Sequence, residues 1–192
     1  MDTFSRDCRL SIRIQKIQML KPARLLIALF FLATAPYSHA DDVIIGKVVG
    51  VADGDTITVL ENLIQYTIRL FGIDTPEARQ DFGSKAKQLT SDLVFGKEVR
   101  VVEMDIDQYG RIVGMVYVGN VCVNETLVKE GLAWVYRKYC IISVCDTWLE
   151  LESQARDAKI GLWSHPNPIP PWEFRWKKRS PNFSQIFSML LN

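Results

Sequence analysis

Histidine, net charge and long apolar runs are all scarce in this 192-residue chain, and each shortage excludes something. Only one of its two histidines, His165, lies beyond residue 40, so chemistry built on a His pair or on clustered His/Cys zinc ligands has little to work with. The four cysteines show no C-x2-C spacing, which removes the common metal motifs. Net charge is +1 overall but uneven: residues 1–40 carry six Lys/Arg against two Asp/Glu, leaving 17 basic and 20 acidic residues, net −3, over residues 41–192. The remainder therefore has no general basic surface to neutralise phosphates, and any nucleic-acid binding must use a local site and a cation. At 48% apolar and 23% charged, the chain is neither a disordered tail nor a multi-span membrane protein. One globular domain is expected, and no internal repeat or low-complexity tract interrupts it.

The N-terminus reads as a secretory leader. Lys21 and Arg24 precede the apolar run Leu25 to Ala33, and Ser38-His39-Ala40 offers small residues at the positions a signal peptidase reads. The run is shorter than the roughly 20 residues a spanning helix needs. Residues 1–40 are therefore expected to be removed, with Met19 an alternative start. A secreted or periplasmic protein without a stable membrane anchor is the expectation. Three cysteines remain after such cleavage, which suits an oxidising compartment. Cys140 and Cys145, close together in one loop, are the easiest pair to join, leaving Cys122 as a buried free thiol.

From Val43 the pattern is β-like. Ile44 to Val51 is bounded by glycines, Asp53-Gly54 signals a hairpin turn, and Thr56 to Leu60 forms a second strand. Tyr66 to Phe71 alternates, which puts Ile68 and Leu70 on one face and turns Arg69 away from the interior. Ser84 is expected to cap a helix carrying Ala86, Leu89, Leu93 and Val94, stopped near Gly96. Strands Val99 to Met104 and Ile112 to Val118 follow, then a helix from an Asn124 cap to Gly131. A third helix opens with a Thr147/Glu150 capping box and buries Trp148, Leu151, Ala155 and Ala158 before Gly161. Five short strands interrupted by a helix suit a closed α+β barrel of OB type, with three helices, over residues 41–163. Residues 164–192 form an extension in which Pro166, Pro168, Pro170 and Pro171 impose an extended path before the aromatic and basic run from Trp172 to Arg179. That tail reads either as a phosphate-binding or base-stacking arm or, preferred here, as a strap laid over the barrel with its charges solvated.

Charged residues concentrate in three segments at strand ends: Asp53-Gly54-Asp55-Thr56, Arg69 through Asp74-Thr75-Pro76-Glu77, and Asp107-Gln108-Tyr109-Gly110-Arg111. Singly, each is explained by a hairpin, a helix cap with Pro at its first position, or a polar loop. Together and in this order they resemble the staphylococcal nuclease family, also called thermonuclease or SNase-like. Val123 to Ala133 and Ala158 to Trp163 support the likeness, which covers about residues 44 to 163.

The resemblance implies a Ca²⁺-dependent phosphodiesterase that cleaves DNA and RNA endonucleolytically and leaves 3′-phosphate ends. It implies Asp55 and Asp74 as carboxylate ligands with the Thr75 carbonyl, an all-oxygen set suited to a hard cation. Glu77 becomes the general base or water-positioning group, and Arg69 and Arg111 hold the scissile phosphate with planar, permanently charged donors. Tyr109, Tyr136 and Tyr139 are candidates to contact the nucleotide, although core packing competes for at least one of the last two. The sequence departs from the family pattern in a short Ala78 to Gly83 stretch and a mildly acidic domain, which predicts weak non-specific binding and a shallow salt dependence. A monomer is the default. The alternatives are a catalytically weak module that only binds nucleic acid and a secreted structural protein that docks through its tail. The presence of Asp55, Arg69, Asp74, Glu77 and Arg111 together favours the enzyme.

Overall fold

A computed structural model describes residues 43–179; the expected leader and the last residues of the extension lie outside that range. Five strands form the barrel: β1 Val43–Val51, β2 Thr56–Glu61, β3 Ile64–Leu70, β5 Glu98–Ile106 and β6 Ile112–Val118. They run in the order β3-β2-β1-β5-β6, and a parallel pairing of β3 with β6 closes the barrel. Antiparallel neighbours sit in register with Val48 opposite Val59, Ile57 opposite Ile68 and Val101 opposite Val116. All of these are fully buried, as the alternation in the sequence requires. Bulges at Val48/Gly50 and Glu103/Asp105 bend β1 and β5 so that five short strands can close. The OB-type α+β barrel expected from the sequence is thus the fold.

Around it lie α1 Gly83–Val94, α2 Val123–Lys129, α3 Val144–Asp157 and α4 Pro171–Arg179, with a 3₁₀ turn at Gly161–Ser164. The helix starts differ from expectation. Ser84 lies inside α1, which follows Phe82 in a left-handed conformation, and Thr147 lies inside α3, which follows Ser143. Asn124 does not cap α2. Its buried side chain accepts from the Val116 amide at 3.0 Å and donates to the carbonyls of Phe71 and Gly114, fastening α2 to the barrel wall. Ala158 ends α3 exposed rather than buried. A fourth helix, not expected from the sequence, takes up the aromatic and basic run that follows the prolines.

Three two-residue strands were not legible: β4 Ile73–Asp74, β7 Val121–Cys122 and β8 Trp134–Val135. Cys122 is only half buried on β7 and is a free thiol. The pairing of β4 with β8 sets Asp74 opposite Trp134, so the position of an acidic residue depends on a tryptophan. Trp134 in turn belongs to a small apolar cluster with Ala155, Leu162 and Trp163, separate from the barrel core. The Arg156 guanidinium lies 3.7 Å from the centre of the Trp163 ring, and Glu152, paired with Arg156, accepts the Val135 amide at 2.6 Å.

Cys140 and Cys145 form the expected disulfide, with their Cα atoms 5.6 Å apart. It braces Gly72, which needs its positive φ of 70° and whose Cβ, if present, would lie 2.7 Å from the Cys140 sulfur. Closing so short a loop contributes about 2 kcal/mol. Replacing both cysteines with serine is therefore expected to lower the unfolding free energy by that amount in urea titration, with unchanged strand content by circular dichroism. No helix among the described residues is long and apolar enough to cross a membrane.

Candidate active site

Three chain segments meet at the rim of the barrel. The first is the β1–β2 turn. Asp53 accepts the Asp55 amide at 3.1 Å, and the Thr90 hydroxyl donates to the Gly54 carbonyl at 2.6 Å. Gly54 must lack a side chain, because a Cβ there would lie 2.7 Å from the Thr75 hydroxyl and 2.8 Å from the Ala86 methyl. The turn is therefore clamped between α1 and Thr75, and Asp55 is held almost completely buried. The second segment is β3. Arg69 leaves it on the face opposite Ile68 and Leu70, as the alternation predicts, and reaches both buried acids. The third runs from β4 through Glu77 to the start of α1. Its backbone is pinned by hydrogen bonds between Glu77 and Gln80, and a Cβ at Gly83 would run into the Glu77 carbonyl.

The geometry is compact. Arg69 donates through Nη1 to Asp55 Oδ1 and through Nη2 to Asp74 Oδ1, both at 2.6 Å. Asp55 Oδ2 accepts from the Thr75 amide at 2.7 Å and from the Thr75 hydroxyl at 3.0 Å. Burial pushes the Asp55 carboxyl up to about 7, against the pull of Arg69. Burial also works against the charge on Arg69, but Asp55 and Asp74 outweigh it and hold the guanidinium above its ordinary value. Two buried acids sharing one base leave the pocket short of positive charge.

A residue that sequence reasoning missed completes the cluster. Arg175 of α4 donates through Nη2 to Asp74 Oδ2 at 2.7 Å, and through Nη1 to Asp74 Oδ1 at 3.2 Å and to Glu77 Oε1 at 2.7 Å. The expectation that the tail's charges are solvated fails at this position. Burial disfavours the Arg175 charge, yet the hydrogen bonds it donates to Asp74 and Glu77 prevail and raise its pKa.

The structure thus joins Asp55, Arg69, Asp74, Thr75 and Glu77 through direct bonds or through Arg175, and it does not join Arg111 to them. Although β6 begins next to Arg111 and pairs with β3, setting Ile112 opposite Ile68, the Arg111 guanidinium is turned onto Asp107, with Nε 2.7 Å from Oδ2. Burial raises the Asp107 carboxyl, but its hydrogen bonds from Arg111 outweigh this and hold it below the usual carboxylate range. Tyr109, in the same loop, is exposed, with its ring 5.5 Å from Arg111. Tyr136 packs edge-on to the exposed Tyr139 and lies flat against Trp172 of α4, with ring centres 4.8 Å apart and planes 7° from parallel.

The donor set is that of a hard cation, with two carboxylates and nearby main-chain oxygen but no thiolate or imidazole. Among the described residues no three His, Cys, Asp or Glu side chains already converge as a metal centre. Asp55 and Asp74 nevertheless fit such an ion, because they share one partner, and among the described residues Asp74 Oδ2 has only the half-exposed Arg175 to displace.

A small OB barrel with two buried acids and two arginines gathered at its rim is the class of protein that the fold and the site define. The comparisons make this specific: the sequence model of the family described as staphylococcal nuclease homologue matches residues 67–165, and the chain belongs to that family. It is 42% identical over 146 residues to the micrococcal nuclease of Shigella flexneri, covering 71% of this chain and 82% of that protein. Identity is also 42% over 149 residues to an Escherichia coli protein named an uncharacterized endonuclease, covering 77% of this chain and 94% of its relative. With the staphylococcal-like nuclease CAN1 of Arabidopsis thaliana it is 39% over 118 residues, covering 62% of this chain and 36% of the plant protein.

Proposed function

We propose that this chain is an exported, Ca²⁺-dependent nuclease that hydrolyses phosphodiester bonds of DNA and RNA endonucleolytically and leaves 3′-phosphate ends. Residues 1–40 serve as its cleaved leader, and the mature protein acts as a monomer in the periplasm or outside the cell. The observation that carries the reading is the shared Arg69 fork between two buried carboxylates, with Glu77 beside them on a pinned turn.

Asp55 and Asp74, with the Thr75 carbonyl, would hold the calcium ion, which when bound reverses the local sign of charge and polarises a phosphate oxygen. Glu77 accepts a proton from the attacking water, whose oxygen bonds to phosphorus as the bond to the 5′ oxygen breaks, and the departing 5′ oxygen takes up a proton from solvent. Arg69 presents its planar donors where negative charge accumulates on the phosphoryl oxygens. Arg111 adds a second set by exchanging Asp107 for phosphate, a local swing because its backbone already adjoins β3. Tyr109 and Tyr139 offer exposed rings for nucleotide contact.

End-labelled single-stranded DNA and RNA, incubated with the protein in calcium and in chelator, test this reading. Cleavage is expected in calcium only, with products whose ends are opened to 3′ extension by phosphatase treatment. Full cleavage in chelator rejects the calcium site. Retention of substrate without cleavage in calcium supports the binding-module alternative instead.

A further inference from the structure

Helix α4 does two things at once. Arg175 lies across Asp74 and Glu77, the acids that the proposed function assigns to cation binding and proton transfer. Trp172, one helical turn earlier, stacks on Tyr136 at 4.8 Å and 7°, the face-to-face geometry of a base on an aromatic platform. Resting on that functional reading, we infer that α4 is an intramolecular plug that competes with the divalent cation and the nucleotide for the same site.

Occupancy argues for competition. Asp55 Oδ1 is bound by Arg69 and Oδ2 by Thr75, while Asp74 Oδ1 accepts from both arginines. Asp74 Oδ2 accepts from Arg175 alone among the described residues, and Glu77 Oε1 is held by the same guanidinium. A cation that takes Asp74 must therefore evict Arg175, and eviction also frees Glu77. The cation and Arg175 compete for Asp74 Oδ2, whereas Arg69 holds only the Oδ1 atoms of the two acids and can stay.

The plug is built to come off. Arg175 is 32% exposed and Glu77 39%, so their pairing is weak in water. Trp176 is 68% exposed and contributes little burial. A groove lined by Gln80, Phe82, Ile169 and Phe174 runs beneath the strap, which is fastened there by a hydrogen bond from the Gln80 amide to the Ile169 carbonyl. The aromatic anchor of the helix, Trp172, packs on Trp134 and Tyr136 in the small cluster at the rim, outside the barrel core. Binding of any ligand to a site that is open for only a fraction of the time is weakened by that fraction. A plug seated nine-tenths of the time imposes about a tenfold loss of apparent affinity.

Calcium titration calorimetry and amide hydrogen exchange on the full-length protein and its Arg175→Ala and Arg175→Lys variants test the inference at matched ionic strength. Arg175→Ala is expected to bind calcium about tenfold more tightly, with Arg175→Lys in between, because an ammonium keeps the charge but loses the fork. In the unsubstituted protein, calcium should speed exchange across residues 171–179; in Arg175→Ala, exchange there should be fast without it. Calcium binding with α4 still protected, or weaker binding by Arg175→Ala, overturns the plug and leaves the nuclease reading standing. If calcium binds and releases α4 but DNA remains uncut in the same samples, the plug stands and the nuclease reading falls. Failure of all three proteins to bind calcium overturns both.

Discussion

Replacing Arg69 with alanine is expected to reduce kcat by about 10² to 10³ and, in the absence of calcium, to lower the unfolding free energy by about 3 to 5 kcal/mol. Two separate causes produce the two losses. The rate falls because one transition-state donor is removed, an effect worth about 3 to 4 kcal/mol of barrier. Stability falls because the Asp55 and Asp74 side chains are only 2% and 1% exposed, and without the guanidinium between them they face each other inside the rim. Calcium bound at the two acids would replace part of the missing positive charge, so saturating calcium should recover much of the stability but little of the rate. Arg69→Lys sharpens the separation. An ammonium can stand between the carboxylates but cannot offer two donors in a plane, so stability should return further than kcat does. Urea unfolding with and without calcium, together with steady-state cleavage of single-stranded DNA, checks both halves. An Arg69→Ala protein that unfolds at the unsubstituted midpoint in chelator would show that the shared ion pair does not hold the rim together.

That ion pair was partly legible in the chain and partly not. Alternation around Ile68 and Leu70 set the direction of Arg69, because a strand with one dry face leaves its odd residue no other side. Gly96 after α1 is legible for a local reason, its positive φ of 74°, whereas Gly54 reads only as a turn residue because the crowding that requires it comes from Thr75 and Ala86. Helix starts were harder to read. Asn124 has the composition of a cap, but its amide group satisfies three backbone groups of the barrel, a long-range demand that outweighs the local one. Strands β4, β7 and β8 are too short to show a period, although β4 positions Asp74.

Arg175 was the largest omission. Its pairing with Asp74 spans 101 residues, and an ion pair leaves no periodic trace. A local signal did exist. Pro171 stands at the first helical position, Glu173 lies in the first turn, and Trp172, Arg175 and Trp176 follow at the spacing of one helix face. Pro166, Pro168 and Pro170, which precede the helix, point to an extended path instead. Arg111 shows the opposite case, in which the sequence motif is present and the backbone is in place, yet Asp107 holds the side chain locally.

Glu77→Gln should give the second large effect, of a different kind. The amide keeps the shape of the carboxyl and an oxygen that accepts from Arg175, but it cannot take a proton from water at neutral pH. Loss of a positioned general base lowers the rate by about 10² to 10⁴. Glu77 is 39% exposed, so no buried charge is stranded and stability should stay within about 0.5 kcal/mol of the unsubstituted protein. The fall should appear in kcat and kcat/KM alike, with KM nearly unchanged, because the lost interaction belongs to the transition state. Calcium affinity should change little, since Asp55 and Asp74 remain. Arg69→Ala and Glu77→Gln therefore form a diagnostic pair: both slow cleavage, but only the first weakens the fold. Should Glu77→Gln cut DNA at the unsubstituted rate, the base lies elsewhere.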